Sequence, residues 1–293
     1  MIDWKDITLQ DKESVNAMIC ASGCHGADYS FANLYIWRHA YEPKIAFIGN
    51  RMLVGNSKWK MYAYPKGDGD VSPSIKLLLE EAHSHGEKLV LRGLTDKTLE
   101  EFLPLFGDQF EISEDRDNAD YIYTADKLCN LPGRHLSSKR NHINKFEKNG
   151  DWEFVQISSE NLAFAKDFVN EFYKEKNDSE LSEEAVAIDE MFANYEALGF
   201  IGGLLYQNGK PVAFSAGTAL DEEVFDVHFE KALPGVEGAY TMINREFARL
   251  VVNKMPDIGA FNREEDMGLE GLRKAKESYH PDILLMKYFA KEK

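Results

Sequence analysis

One order of elements occurs twice along this chain of 293 residues, and the repetition limits the folds open to it. After an amphipathic start over Lys12 to Cys20, apolar alternation predicts a hairpin, KIAFI and RMLVG, turning at Gly49-Asn50. A strand WKMYAYP and the glycine loop KGDGD follow. A helix then starts with Ser72 as N-cap and Pro73 in its first turn, carries Ile75, Leu78, Leu79 and Ala82 on one face, and stops at Gly86. Strand KLVLR, a helix from Thr95 to Phe106 and short strands near Phe110–Ile112 and Tyr121–Tyr123 complete the half. The second half begins with strand WEFVQI and adds helices over Asn161–Lys176 and from Ser182. It then repeats the order: hairpin FIGGLLY and PVAFSAGTAL turning at Asn208-Gly209, strand EVFDVHFEKA, glycine loop LPGVEGA and a helix from about Ala239 to Val252. Strand DIGAF, a helix Met267–Ser278 and strand DILLMKYF end it. Mixed order of this kind predicts two α/β domains, each a mixed sheet flanked by helices, over residues 1–127 and 128–293. No low-complexity linker separates them, which favours a rigid pair.

The junction carries unusual charge. Leu131 to Lys148, LPGRHLSSKRNHINKFEK, holds five Lys and Arg residues against one acid in a chain of net charge -16. A helix over about 134–149 would present Leu136, Ile143 and Phe146 as its apolar stripe. Lys139 and Arg140 lie three and four residues beyond Leu136, so they project along that stripe. Cations there need partners. Either an internal salt-bridge network or a bound phosphate or carboxylate meets the need, with Arg134, Lys139 and Arg140 as the cations and Asn141 and Asn144 beside them.

Composition excludes several classes. There is no basic, apolar leader and no apolar run of membrane-spanning length, so a cytoplasmic protein is expected. Cys20, Cys24 and Cys129 make no disulfide framework, and the Cys20/Cys24 spacing lacks a second ligand pair for zinc. No metal site is expected. The acidic balance argues against indiscriminate nucleic-acid binding, while leaving a specific RNA end or nucleotide open. No Ser-His-Asp order, P-loop or HExxH is present.

Three segments carry a resemblance: DYSFANLYIWRHAY, RHLSSKRNHINKF and NREEDMGLEGLRKAKESYHP. They resemble segments of the bacterial family of phosphatidylglycerol lysyltransferase C-terminal domains, over nearly the whole chain. The element order is similar to a GNAT acyltransferase fold in tandem, and more distantly to the Fem-type transferases, which use aminoacyl-tRNA as donor. The resemblance implies transfer of an acyl or aminoacyl group to an amine or hydroxyl, the donor being aminoacyl-tRNA or acyl-CoA and no further cofactor being required. It also implies a small-molecule or lipid-headgroup acceptor and contact with a tRNA acceptor end. The other reading is a non-catalytic module for a nucleotide, phospholipid headgroup or RNA end.

The resemblance also implies a role for Lys276, which occupies the lysine of an LRxxK-x-x-aromatic segment, here LRKAKESY; that lysine stabilises charge developing in acyl transfer. Its spacing from Leu269 and Leu272 puts its stem on the inward face, but complementing the helix dipole explains it equally. Where the lysyltransferases have a DLMR-like stretch, this chain has AYTMIN, with Tyr240 and Ile243 in place of the Asp and Arg. In FNREED, Asn262, Arg263 and Glu264 end a strand that faces a cleft in such folds, Glu264 being a base candidate if burial raises its pKa. The acids of that stretch are also what a helix start favours. The loop before the helix at Ala239 could seat a phosphate on Gly235, Gly238 and Ala239. KGDGD, with Asp68 and Asp70, would repel an anion, so the first half is expected to be a degenerate scaffold.

Overall fold

The computed structural model describes residues 2–56, 60–174 and 179–293. Contacts divide the chain into two compact units. The first takes Met1–Asp120 together with Glu264–Arg273 and Leu284–Lys293; the second takes Tyr121–Arg263 and Lys274–Ile283. The expected single cut at 127/128 is therefore replaced by a division in which two late segments return to the first unit.

The strands are β1 (Lys5–Asp6), β2 (Lys44–Ile48), β3 (Arg51–Asn56), β4 (Met61–Ala63), β5 (Lys66–Gly67), β6 (Val90–Leu94), β7 (Phe110–Glu114) and β8 (Asp120–Thr124). They continue as β9 (Trp152–Gln156), β10 (Ile201–Gln207), β11 (Lys210–Ala219), β12 (Val224–Ala232), β13 (Ala260–Asn262), β14 (Ile283–Leu285) and β15 (Tyr288–Glu292). One sheet has the order β1-β2-β3-β4-β6-β15-β7, with β5 paired to β3; the other reads β9-β10-β11-β12-β13-β8-β14. Both follow one pattern. Antiparallel hairpin strands lead to a parallel pair, β4 with β6 and β12 with β13, and an antiparallel strand follows. That next strand breaks sequence order in both sheets: β15 lies between β6 and β7, and β8 lies between β13 and β14.

Here the sequence reading needs correction. DILLMKYF is two strands, β14 and β15, in different sheets, and β8 does not close the first sheet. Alternating apolar residues report that a strand is buried, but not which sheet buries it. Lys287, directly before β15, supplies the missing information. Its ammonium lies 2.6 Å from Asp120, the first residue of β8, and 2.5 Å from Asp28. Asp120 also accepts from the Ala27 amide at 2.9 Å. Burial opposes the Lys287 charge, but the two carboxylates outweigh it and hold the ammonium well above its usual range.

Ser72, expected as an N-cap, is the first residue of its helix, with Val71 at the cap position; other local signals are legible. Asn208 and Gly209 both have positive φ, as a two-residue hairpin demands. Thr95 and Thr98 form a capping box at the helix Asp96–Phe106. The helices over Leu162–Lys174 and Ser179–Ala193 match two predicted ones, while the expected extension to Lys176 and the strand start at Trp59 lie outside the described residues. The first unit's core centres on Phe102, whose ring meets Tyr64, Phe106 and Phe110 at 6.1, 5.5 and 5.1 Å. In the second, Phe225 meets Phe247 and Phe261 at 5.8 and 5.9 Å. Among the described residues no helix is long and apolar enough to cross a membrane.

Breaking a buried ion pair leaves an uncompensated charge, so Lys287→Met should destabilise the protein by about 3–5 kcal/mol in denaturant titration. Adding Asp120→Leu to Lys287→Met should recover part of that loss. If the single change leaves the unfolding midpoint where it was, the pair does not hold these strands.

Candidate functional site

In the second unit, β12 and β13 run parallel with Asp226 beside Asn262, and charged side chains gather toward their C-terminal ends. Glu230, near the end of β12, is the centre. One carboxylate oxygen accepts from Arg263 Nη2 at 2.7 Å and the other from Asn244 Nδ2 at 2.9 Å. Arg263 directly follows β13 and is anchored by its amide to the Tyr121 carbonyl at 2.9 Å. Asn244 comes from the buried face of the helix Ala239–Lys254. Two atoms of this trio are buried without a hydrogen-bond partner among the described residues: the Arg263 Nη1 donor and the Asn244 Oδ1 acceptor. A buried donor and a buried acceptor left open are costly unless something polar completes them.

Tyr279 gathers the cations. The Arg263 guanidinium lies 5.0 Å from its ring centre, and Lys139 Nζ stands 4.0 Å from the same ring. Lys139 also donates to Ser278 Oγ at 2.6 Å. Burial pushes the Lys139 pKa down to about 8; the Arg263 charge pushes the same way, and Glu230 acts against both. Lys276 is 7% exposed. Its ammonium donates to the Arg263 carbonyl at 2.6 Å and lies 5.8 Å from the Tyr121 ring. Tyr123 donates to the Lys276 carbonyl at 2.8 Å, fixing the helix end.

The other expected residues divide. Asn262 is fully buried at the end of β13. The basic helix spans Ser137–Lys148, with Leu136, Ile143 and Phe146 buried as expected. Two of its cations serve structure. Arg140 donates to the Leu131 and Gly133 carbonyls, pinning the loop before the helix, and Lys145 pairs with Glu237 at 2.6 Å. Arg134, Asn141 and Asn144 are exposed.

The glycine loop has a packing reason. A Cβ on Gly238, whose φ is +84°, would lie 2.3 Å from the His142 carbonyl oxygen, so the loop presses against the basic helix. The Ala239 amide already donates to Val236 at 3.2 Å, while Gly235 is unconfined, with open space around its Cβ position.

Glu264 belongs to the first unit, where it accepts from Asn33 at 3.0 Å and has a φ of +57°. Next to it, burial pushes the Glu265 carboxyl up to about 7, with Lys287 acting against the shift. Asp266 is fully buried and takes both Arg273 (2.8 and 2.9 Å) and Arg116 (3.0 Å), so it ties a loop together and does more than complement a helix dipole.

Sequence reasoning missed Glu230 and Asn244. The available signal was the alternation of polar residues through the strand EVFDVHFEKA, Glu230 among them, and an amide on the apolar face of the following helix. Tyr279 was visible as the aromatic of LRKAKESY but was given no role.

Residues 22–291 match the family described as phosphatidylglycerol lysyltransferase, C-terminal. A conserved protein of unknown function from Bacteroides thetaiotaomicron is 36% identical, each chain being covered completely, with a TM-score of 0.94. L-PGS from Bacillus licheniformis is similar at 17% identity over 96% of this chain and 92% of that one, with a TM-score of 0.64. FemX is similar at 10% identity over 99% of this chain and 97% of that one, with a TM-score of 0.59. The fold is the mixed α/β architecture of tandem GNAT and Fem transferases. No curated protein matches.

The charges around Lys139 make its titration a test of the cluster. Arg263→Met should raise the Lys139 pKa above about 8, and Glu230→Gln should lower it, as read by NMR of isotopically methylated lysines. Because the native pKa lies below the unfolded value of roughly 10.4, the unfolded chain binds more protons between those limits. The Lys139 contribution should therefore become more favourable to folding as pH rises through that window. A fall in Arg263→Met together with a rise in Glu230→Gln would exclude the arrangement.

Proposed function

Because this chain belongs to the phosphatidylglycerol lysyltransferase C-terminal family, we propose that it is an acyl- or aminoacyl-transferase whose second unit carries the chemistry. The observation that carries the reading is the open pair on Glu230, the Arg263 Nη1 donor and the Asn244 Oδ1 acceptor. An aminoacyl group offers the complement of both: its carbonyl oxygen accepts and its ammonium donates. The Gly238–Ala239 turn favours aminoacyl-tRNA over acyl-CoA, since the glycine is packed on the basic helix and the Ala239 amide is already engaged. Aminoacyl-tRNA also fits the cytoplasmic setting expected of the chain. A small molecule or lipid headgroup bearing an amine or hydroxyl is the acceptor.

In this reading the acceptor attacks the acyl carbon. A new C–N or C–O bond replaces the ester to tRNA, and the leaving hydroxyl takes up a proton. Lys139, with a pKa of about 8, is suited to receive the acceptor's proton near neutral pH. Arg263 holds the carbonyl oxygen, and Lys276, bonded to the Arg263 carbonyl, adds positive charge where the oxyanion forms. Asn262, buried at the adjacent strand end, keeps that end in place.

Transfer of a labelled aminoacyl group from charged tRNA to amine and hydroxyl acceptors, run beside acyl-CoA donors, tests the reading. Lys276→Ala should lower turnover on the order of 100-fold while donor affinity stays nearly constant, since such a cation acts mainly in the transition state. Lys276→Arg should not restore the rate fully, because a planar guanidinium differs from a point charge. Donor binding with no transfer to any acceptor would favour the binding-module alternative.

A further inference from the structure

The first unit has a site of its own. Where the parallel pair β4 and β6 ends, a pocket of about 290 Å³ opens, lined among others by Arg51, Lys66, Lys97, Thr98, Glu101 and Cys24. Its three cations and one carboxylate sum to +2 in a strongly acidic chain. Glu101 is fully engaged: one oxygen takes Arg51 Nη2 at 2.6 Å and the other takes the Tyr64 hydroxyl at 2.7 Å. Arg51 is 5% exposed, and its Nε is buried with no hydrogen-bond partner among the described residues. Lys66 is 3% exposed. Its ammonium has a long contact to the Gly93 carbonyl, 3.3 Å, and faces the Tyr29 ring at 5.0 Å, with no carboxylate within ion-pair distance among the described residues. Lys97 approaches from the exposed side, donating to the Ser22 carbonyl at 3.1 Å.

A buried ammonium without a paired anion is costly, and here it lines an opening. The acids of the neighbouring glycine loop do not fill the need: Asp68 and Asp70 are not among the lining residues, and Asp70 instead caps the Ser72 amide at 2.9 Å. Asp70 senses the Arg51 charge from outside the lining.

We propose that this pocket binds the phosphate group of a small phosphate monoester. Such a group is close to dianionic at neutral pH and so matches the +2 lining. Lysine ammoniums serve it as point charges. The volume lies at the low end of ligand pockets and suits a compact molecule better than a nucleotide. The first unit is then a binding module and not only a scaffold, whatever the second unit catalyses.

Calorimetry on the full chain with glycerol 3-phosphate tests this, with inorganic phosphate and phosphatidylglycerol vesicles as the other arms. Glycerol 3-phosphate should bind saturably and slow alkylation of half-buried Cys24 without protecting exposed Cys20. Lys97→Ala and Lys66→Gln should each weaken binding on the order of tenfold or more. Lys97 is exposed, so that variant keeps the test valid if Lys66→Gln does not fold. Equal affinity for inorganic phosphate with the same sensitivity would identify the free ion as the ligand. Variant-sensitive binding to vesicles alone would assign the phosphate to a lipid headgroup and overturn the soluble monoester. No saturable binding in any arm to about 10 mM, or binding that both variants leave unchanged, would overturn the proposal altogether.

Discussion

Lys287 and Asp120 stand at the entrances of the two strands that sit out of sequence order, β15 and β8, and their side chains meet at 2.6 Å with 3% and 0% exposed. Two charges removed from water gain little or nothing net by pairing, but either one alone would be severely destabilising. That asymmetry makes the contact a constraint on topology. An apolar strand is stabilised about equally in any sheet that buries it. A lysine buried at its entrance is stabilised only where carboxylates are waiting, here Asp120 and Asp28. Asp120 in turn fixes the Ala27 amide, and the Lys287 carbonyl accepts from the Asp115 amide at 2.8 Å, so the loops flanking both strands are held by the same pair.

With β15 and β8 in place, each sheet presents the C-terminal ends of a parallel pair, the region where α/β sheets commonly bind ligands. The two units furnish these ends differently. In the second, Glu230 organises Arg263 and Asn244 and leaves one donor and one acceptor open. In the first, Glu101 is saturated by Arg51 and Tyr64, which leaves the lysine charge of Lys66 and Lys97 toward the pocket. One fold thus carries a polar, two-signed arrangement suited to a reacting group and a net cationic one suited to a phosphate.

Much of this is legible in the amino-acid sequence. The hairpin at Asn208-Gly209, the capped helix at Thr95 and the apolar stripe Leu136, Ile143 and Phe146 all depend on residues close together in the chain. Lys276 is buried, but Leu269 and Leu272, whose spacing marks the expected inward face, are 52% and 37% exposed, so helical spacing does not account for its burial. The basic helix is legible as a charge concentration, but its spacing does not separate Lys139, which reaches the Tyr279 ring, from Arg140, which pins the loop carbonyls one residue on.

Local periodicity is legible in the chain alone: which segments are helices or strands, and in what order. Those properties follow from backbone geometry and from apolar spacing over a few residues. Tertiary contacts set which sheet receives β8 and β15, that Glu230 organises the second unit's cluster, and that Asp68 and Asp70 do not line the cationic pocket. Each of these depends on charges brought together from distant parts of the chain. The stability of a buried charge is set by its partners in space, and sequence spacing carries no record of them.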